Sequence, residues 1–252
     1  YYLDATDPNR PINVLPVKIL GVKGLVIKKG LLEWINIPPN KINSDKIIVN
    51  VKIANDGSIT SDIESALGEY SSLSIRNNLS DKTEMDIAKE QFESEKNGLT
   101  IDSVTITNSD SVKLPLILKA WVSAKDYSQI SGDMIYMNPT VIYRMHDNPF
   151  KSIKRKYPID FSLLNNRTIV TNITLPEGFE LKEKPENKAS KVGNAISYTK
   201  QISVNDNLIQ IITKLEIKEF QVKSQFYEQV KSLYTNLISS QSELLVIGTK
   251  TK

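Results

Sequence analysis

The sequence has no cysteine and a single histidine, His146, among 252 residues. The first absence removes disulfides, zinc–thiolate sites and any thiolate nucleophile together. The second leaves no multi-histidine metal site and confines any Ser-His-Asp arrangement to one imidazole. Charge of one sign is also scarce. The 32 basic and 29 acidic side chains give a net charge of +3, too balanced for the concentrated basic face that nucleic acid requires. No apolar run approaches the roughly 18 residues of a membrane span. The chain opens on Tyr1-Tyr2-Leu3-Asp4 without an initiator Met and reads as a piece of a longer polypeptide.

The composition that remains is ordinary for a globular protein, with 40% hydrophobic and 24% charged residues. The length suits one large β domain or two smaller ones.

Periodicity argues for strands along most of the chain. Val49, Val51 and Ile53 alternate with Asn50 and Lys52, so one face is buried and the other wet. Asn55-Asp56-Gly57 then supplies a tight turn, and Ile59, Ile63 and Leu67 continue on a return strand. A second hairpin is expected from Ala195 to Val204 and Leu208 to Ile217 across Asn205-Asp206-Asn207. Shorter strands are expected at Trp34–Ile37, Ile101–Thr107, Leu114–Ala124, Met134–Met137, Val141–Met145, Pro158–Leu164, Ile169–Leu175 and Leu244–Ile247. The period changes between residues 69 and 97, where Tyr70, Leu73 and Asn77, then Met85, Ala88 and Phe92, fit a helical pair closed by Asn97-Gly98. A further helix is expected near 221–240, its stripe formed by Val222, Phe226, Val230, Leu233 and Leu237 and buried against the sheet that carries Ile209–Ile217. The fold class is therefore mainly β, a sandwich-like arrangement of antiparallel sheets with a few packed helices, and α+β is the fallback.

Candidate chemistry is sparse. His146 lies in the polar turn Arg144-Met145-His146-Asp147-Asn148-Pro149, where adjacent residues rarely face one another. Among the many carboxylates nothing marks out a catalytic pair; Glu84, Glu90, Glu93 and Glu95 read as a solvated helix surface. Asn205-Asp206-Asn207 lacks the glycine and terminal glutamate of a calcium loop. Neither a phosphate-cradling glycine loop nor a nucleophile elbow is present. The basic run Lys151, Lys154, Arg155 and Lys156 has no interleaved aromatics and reads as a solvated segment. Trp34, Trp121 and ten tyrosines could line a sugar or peptide groove, but strands use aromatics for packing as well.

One stretch carries more. Tyr2-Leu3-Asp4-Ala5-Thr6 resembles the end of a transglutaminase-like core, where a strand delivers an aspartate in an apolar-Asp-small-Thr setting. Leu15-Pro16, Asn148-Pro149-Phe150-Lys151, Arg155 to Phe161, Leu175-Pro176-Glu177-Gly178-Phe179, Pro185 and Phe226-Tyr227 extend the likeness. Together they resemble the C-terminal region, a domain of unknown function, of large bacterial transglutaminase-like proteins. That resemblance implies that Asp4 is the third member of a Cys-His-Asp triad, orienting the imidazole and stabilising its charged form; the other reading of Asp4 is a residue that caps the turn through Ala5-Thr6-Asp7-Pro8. It also implies residues 1–30 as the end of the core and its linker, and 31–252 as a C-terminal β-rich domain that could divide near 146. The expected role is a non-catalytic, exported, periplasmic module without a cofactor. Its partners would be the upstream core of the same polypeptide and a protein or peptide substrate, not nucleic acid, and without membrane insertion. Rival readings are an independent glycan- or surface-polymer-binding module, which requires an exposed aromatic row, and a carboxylate hydrolase, which requires two carboxylates across a cleft.

Overall fold

The computed structural model describes residues 4–37, 39, 41–92 and 98–250. In chain order, two strands β1 (Lys23–Lys28) and β2 (Leu31–Asn36) precede β3 (Ile42–Ile53) and β4 (Ile59–Leu67). Helices α1 (Glu69–Asn78) and α2 (Glu84–Phe92) follow. Then come β5 (Thr100–Thr107), β6 (Leu116–Ala124), β7 (Gln129–Ser131), β8 (Met134–Met137), β9 (Ile159–Asp160) and β10 (Leu164–Thr174). The chain continues through β11 (Phe179–Glu183), β12 (Lys188–Val192), β13 (Ile196–Asn205), β14 (Leu208–Ile217) and β15 (Gln221–Val222). It closes with α3 (Tyr227–Ser242) and β16 (Leu245–Thr249).

Eight strands form one sheet in the order β12-β13-β14-β10-β3-β4-β6-β5. The β3–β4 hairpin lies within it. Its turn glycine, Gly57, has a φ of 76°, which a residue with a Cβ adopts only at a cost. Every second residue of β3 from Asn43 to Ile53 is buried and every intervening one exposed, so the sheet has one covered and one open face. Four strands, β11-β16-β8-β7, make a smaller sheet. Its Ile135, Met137, Leu245 and Ile247 share a single core with Ile47, Val49, Val51 and Leu118 of the large sheet. This gives the two-layer, mainly-β packing expected from the sequence, with α2 adding Ile87, Ala88 and Phe92 to the same core. A second core lies under α3, where Val230, Leu233, Tyr234 and Leu237 meet Val192, Ile196 and Tyr198. A third, smaller one holds the amino-terminal segment to α1 through Val14, Leu15, Leu20, Tyr70 and Leu73. The open face of the large sheet is tied by a polar ladder. Asn50 donates to Asp62 at 2.7 Å, Asn172 to Asn50 at 2.8 Å, and Gln210 to Asn172 at 3.0 Å, linking four strands side by side.

Several local expectations are corrected. The large sheet is mixed, because β10 runs parallel to β3; no local pattern encodes a pairing between segments more than a hundred residues apart. Val141–Met145 is not a strand, since Tyr143 adopts a φ of 54° that breaks extended backbone. Of Pro158–Leu164 only Ile159–Asp160 pairs as a short strand, before β10 begins at Leu164. The last helix starts at Tyr227, not 221: Val222 sits in β15 and Phe226 in a 3-10 turn, 36% exposed. Its buried face packs, as expected, on the sheet that carries Ile209–Ile217, chiefly through β12 and β13 of that sheet with Leu215 and Ile217 of β14, while Ile209 and Ile211 themselves belong to the main core. Strands β7, β11 and β12 have no counterpart in the sequence reading. Tyr1–Leu3, Glu93, Glu95 and Asn97 lie outside the described residues.

Candidate functional site

Asp4, the one residue singled out for catalysis, forms a turn. Its Oδ1 accepts from the Thr6 main-chain N–H at 3.1 Å and from the Thr6 hydroxyl at 2.6 Å. Its Oδ2 faces Arg10 Nε at 3.1 Å. The Thr6 hydroxyl and amide, helped by Arg10, hold its carboxyl below the ordinary carboxylate range. Arg10 also pairs with Asp7 at 3.1 Å, and Asn77 of α1 donates to Asp7 at 3.0 Å, so this loop is pinned to the first helix. A carboxylate has about four acceptor positions, so the turn contacts leave room for an imidazole donor.

The densest polar cluster lies at the junction of β3, β10 and α1. Asp45 is 1% exposed, and its carboxylate accepts from the Gly68 N–H at 2.9 Å, Ser71 Oγ at 3.1 Å and Arg167 Nη2 at 3.2 Å. Asn43 accepts from the N–H groups of Tyr70 and Ser71 at 3.2 and 3.1 Å, which caps the first turn of α1 from outside the helix. The parallel register makes this possible, because it sets Asn43 opposite Asn165 and Asp45 opposite Arg167. The Arg167 guanidinium lies 4.4 Å from the centroid of the Tyr143 ring, a cation–π contact that helps hold the left-handed backbone there. Burial pushes the Tyr143 hydroxyl up to about 12. A cavity of about 280 Å³ opens over these groups. It contains no activated nucleophile: the Ser71 hydroxyl is held by Asp45 and receives the Asn43 amide at 2.9 Å, with no imidazole in the network. The arrangement is built to anchor a helix on a sheet.

Sequence reading missed this cluster, although a signal was present. Asn43 and Asp45 occupy the same strand parity as Ile47, Val49 and Val51. Polar residues on a buried parity must be paired.

The remaining residues picked from sequence do not converge. His146 and Asp147 lie on an exposed loop. Lys82 binds Glu90 at 2.6 Å, and Glu84 accepts from the Ile106 N–H at 3.3 Å. Among the described residues no group of three His, Cys, Asp or Glu could hold a metal ion. Trp121 is 42% exposed on the open face, but its register partners are Asp62 and Ser103, so no aromatic row runs through it. Trp34, 67% exposed, stands on the separate β1–β2 hairpin. Lys151, Lys154, Arg155 and Lys156 are all exposed, on a strap held down by Phe150 in the core beneath α3.

That hairpin is the most unusual surface. The register pairs Leu25 with Trp34 and Ile27 with Leu32, so all four side chains share one face. They are 42, 67, 73 and 74% exposed for Leu25, Trp34, Ile27 and Leu32 respectively. On the opposite side Val26 and Ile35 are half-buried, while Lys28, Leu31 and Glu33 are exposed. Isolated exposed apolar residues are normal, but a contiguous ladder of them marks a contact surface.

Comparison with known proteins adds two findings. Residues 133–247 match the model of a domain of unknown function with a solved structure, DUF3858. A crystal structure from Parabacteroides distasonis ATCC 8503, of a protein described only as a candidate protease, is similar at 17% identity and a TM-score of 0.39. That match covers 48% of this chain and 24% of the other, so the chain spans about a quarter of that protein's length. No curated protein matches. No helix among the described residues is long and apolar enough to cross a membrane.

Proposed function

We propose that this chain is a non-catalytic β-rich module that supports a preceding transglutaminase- or protease-like core of the same polypeptide. The observation that carries the reading is the bare apolar face of the β1–β2 hairpin, which follows the Asp4 turn at the amino-terminal end. A ladder of Leu25, Ile27, Leu32 and Trp34 in water forgoes a favourable burial of roughly 1.5–3 kcal/mol for each fully covered side chain. A folded neighbour joined just ahead of it would recover that energy without a translational entropy cost. Without cysteine the module itself has no thiol chemistry, so any thiol-dependent activity of the longer polypeptide would reside in the core. Export to the periplasm and contact with a protein substrate belong to the same reading and rest on the sequence resemblance.

Hydrogen exchange tests the docking directly. The amides of β1 and β2 should exchange slowly in a polypeptide that includes the preceding core, and faster in the isolated chain. Equal exchange in the two would end the reading. Within the longer polypeptide, Asp4→Asn separates triad from turn. A triad aspartate should lose activity by up to about 10⁴-fold on the serine-protease precedent, whereas a turn residue should leave activity intact.

A further inference from the structure

Arg76 is a buried charge without an ion-pair partner among the described residues. It is 5% exposed, and no carboxylate among the described residues lies within ion-pair distance of it. Its Nη2 donates to the main-chain carbonyls of Asn108, Ser111 and Leu114 at 3.0, 2.8 and 2.8 Å. Its Nε has no hydrogen-bond partner among the described residues. Carbonyl dipoles fix the guanidinium in place, and they pin the loop ahead of β6 to α1, but they do not neutralise it. Among the described residues, the carboxylate whose field reaches it is the exposed Asp110. Proteins rarely leave a buried cation in this state, because a desolvated charge is costly unless paired.

A cavity of about 490 Å³ adjoins this residue, between the start of α1, the ends of β3 and β4 and the loop before β6. Two further cations line it, Lys46 and Lys113. Both are exposed, and neither takes part in an ion pair among the described residues. One carboxylate, Glu69, also lines the wall, and Lys41 already holds it at 2.9 Å. The rest of the lining includes Ile42, Leu67 and Leu114. Three cations against one paired anion, on an apolar floor, define an amphipathic, electropositive hollow. Its volume falls in the range of small-ligand sites, roughly 300–1,000 Å³.

We infer that this cavity binds a carboxylate carried on an apolar body, with Lys46 and Lys113 facing the anion, Arg76 beneath it, and the apolar wall taking the body. The carboxyl terminus of a short hydrophobic peptide and a medium-chain fatty acid share this chemistry. The inference does not depend on the docking of the hairpin, which lies on different strands.

Titration calorimetry on the full chain tests it with three probes: Ala-Leu-Leu with a free carboxyl terminus, the same peptide amidated, and octanoate. The free acid should bind, and amidation should weaken it at least about tenfold, the equivalent of 1.4 kcal/mol. Octanoate binding in place of the peptide would keep the site and assign the acyl source. Replacing both lysines, Lys46→Ala with Lys113→Ala, should weaken binding by a similar factor. Because both are exposed, it should leave thermal stability unchanged. Raising the salt concentration should weaken binding to the native chain, since the lysines are exposed. Equal binding of acid and amide, an unaffected double variant, or no binding of either acid at millimolar concentration would overturn the assignment.

Discussion

The β3–β4 and β1–β2 hairpins are built from the same apolar residue types, yet one is enclosed and the other bare. In β3, Ile47, Val49 and Val51 are at most 1% exposed, with α2 and the smaller sheet sharing their core. In β1 and β2, Ile27 and Leu32 are 73 and 74% exposed, although their ladder pairing is complete along six residue pairs. Backbone pairing therefore does not distinguish the two. What differs is the second layer, and the driving force for sheet formation is burial of one face. A two-stranded ribbon by itself is marginal in water. Here it is held by the half-buried Val26 and Ile35 and by the neighbouring Gly21 N–H, which donates to the Ile37 carbonyl at 2.8 Å. The large sheet is finished within this chain, whereas the ribbon has one face left over.

Breaking the enclosed side should have the largest effect. Asp45→Ala removes the carboxylate that joins β3, β10 and α1 and strands the Arg167 charge and the Gly68 N–H. Loss of one partner of a buried pair costs about 3–5 kcal/mol, measurable as a lower midpoint in urea. Little change would mean that Arg167, whose side chain is 35% exposed, recovers its hydration and that the cluster adds little to stability. Leu233→Ala, 2% exposed beneath α3, should cost about 2–5 kcal/mol through lost burial and a cavity. An unchanged midpoint would contradict the packing of α3 on β12 and β13.

A smaller effect is expected from Tyr143→Phe, and it should depend on pH. The phenol of Tyr143 is raised from an ordinary 10.0 to about 12 by burial, so the folded state favours the neutral form. Its contribution is fully present below pH 10 and is lost as pH rises through about 12, because the unfolded chain releases that proton first. The Phe variant keeps the ring beneath Arg167 and loses the hydroxyl, which donates to Gln91 at only 3.3 Å. Near neutral pH its stability should therefore change little, and between pH 10 and 12 it should fall less steeply than that of the native chain. Tyr127, Tyr198 and Tyr234 shift in the same direction by burial, so part of the alkaline slope should persist. Identical alkaline slopes in variant and native chain would remove Tyr143 from the set.

How much of this was legible follows the physics of each signal. The alternation of Val49, Val51 and Ile53 and the Asn55-Asp56-Gly57 turn are local, and the hairpin formed where they placed it. The same holds for the Asp206-Asn207 turn between β13 and β14 and for the helical pair α1 and α2. The parallel pairing of β3 with β10 was not legible, because only burial of the whole face selects it. Nor was the apolar stripe through Phe226, where helical spacing continued past the true helix start at Tyr227 into a 3-10 turn and strand β15. The Asp45 cluster was half legible: parity marked Asn43 and Asp45 as buried, but Arg167, Tyr143 and Ser71 come from distant segments. Asp4 was legible as a turn residue through its Thr6 neighbour. No local pattern in the sequence marks Arg76. Only the loop from Asn108 to Leu114 folding over it makes it buried.

The smallest effect is expected where the ribbon is bare, and it sharpens the comparison most. Ile27→Lys with Leu32→Glu places opposite charges on a directly paired position of β1 and β2, so strand pairing is supported by a cross-strand ion pair. In the isolated chain both positions already face water, and surface changes of this kind stay within about 0.5 kcal/mol. Urea unfolding should therefore be unaltered, and any self-association through the apolar face should fall, as sedimentation or light scattering would detect. Ile35→Lys is the matched control. Ile35 is half-buried on the opposite side of the same ribbon, so the change should destabilise the isolated chain more than the exposed pair does. In a polypeptide that includes the preceding core, the exposed pair should instead expose the ribbon to protease and speed its amide exchange, because two charges would have to be desolvated to dock. A loss of several kcal/mol in the isolated chain would show that the ladder of Leu25, Ile27, Leu32 and Trp34 already packs within this protein. The contrast between a finished sheet and an unfinished ribbon would then be wrong.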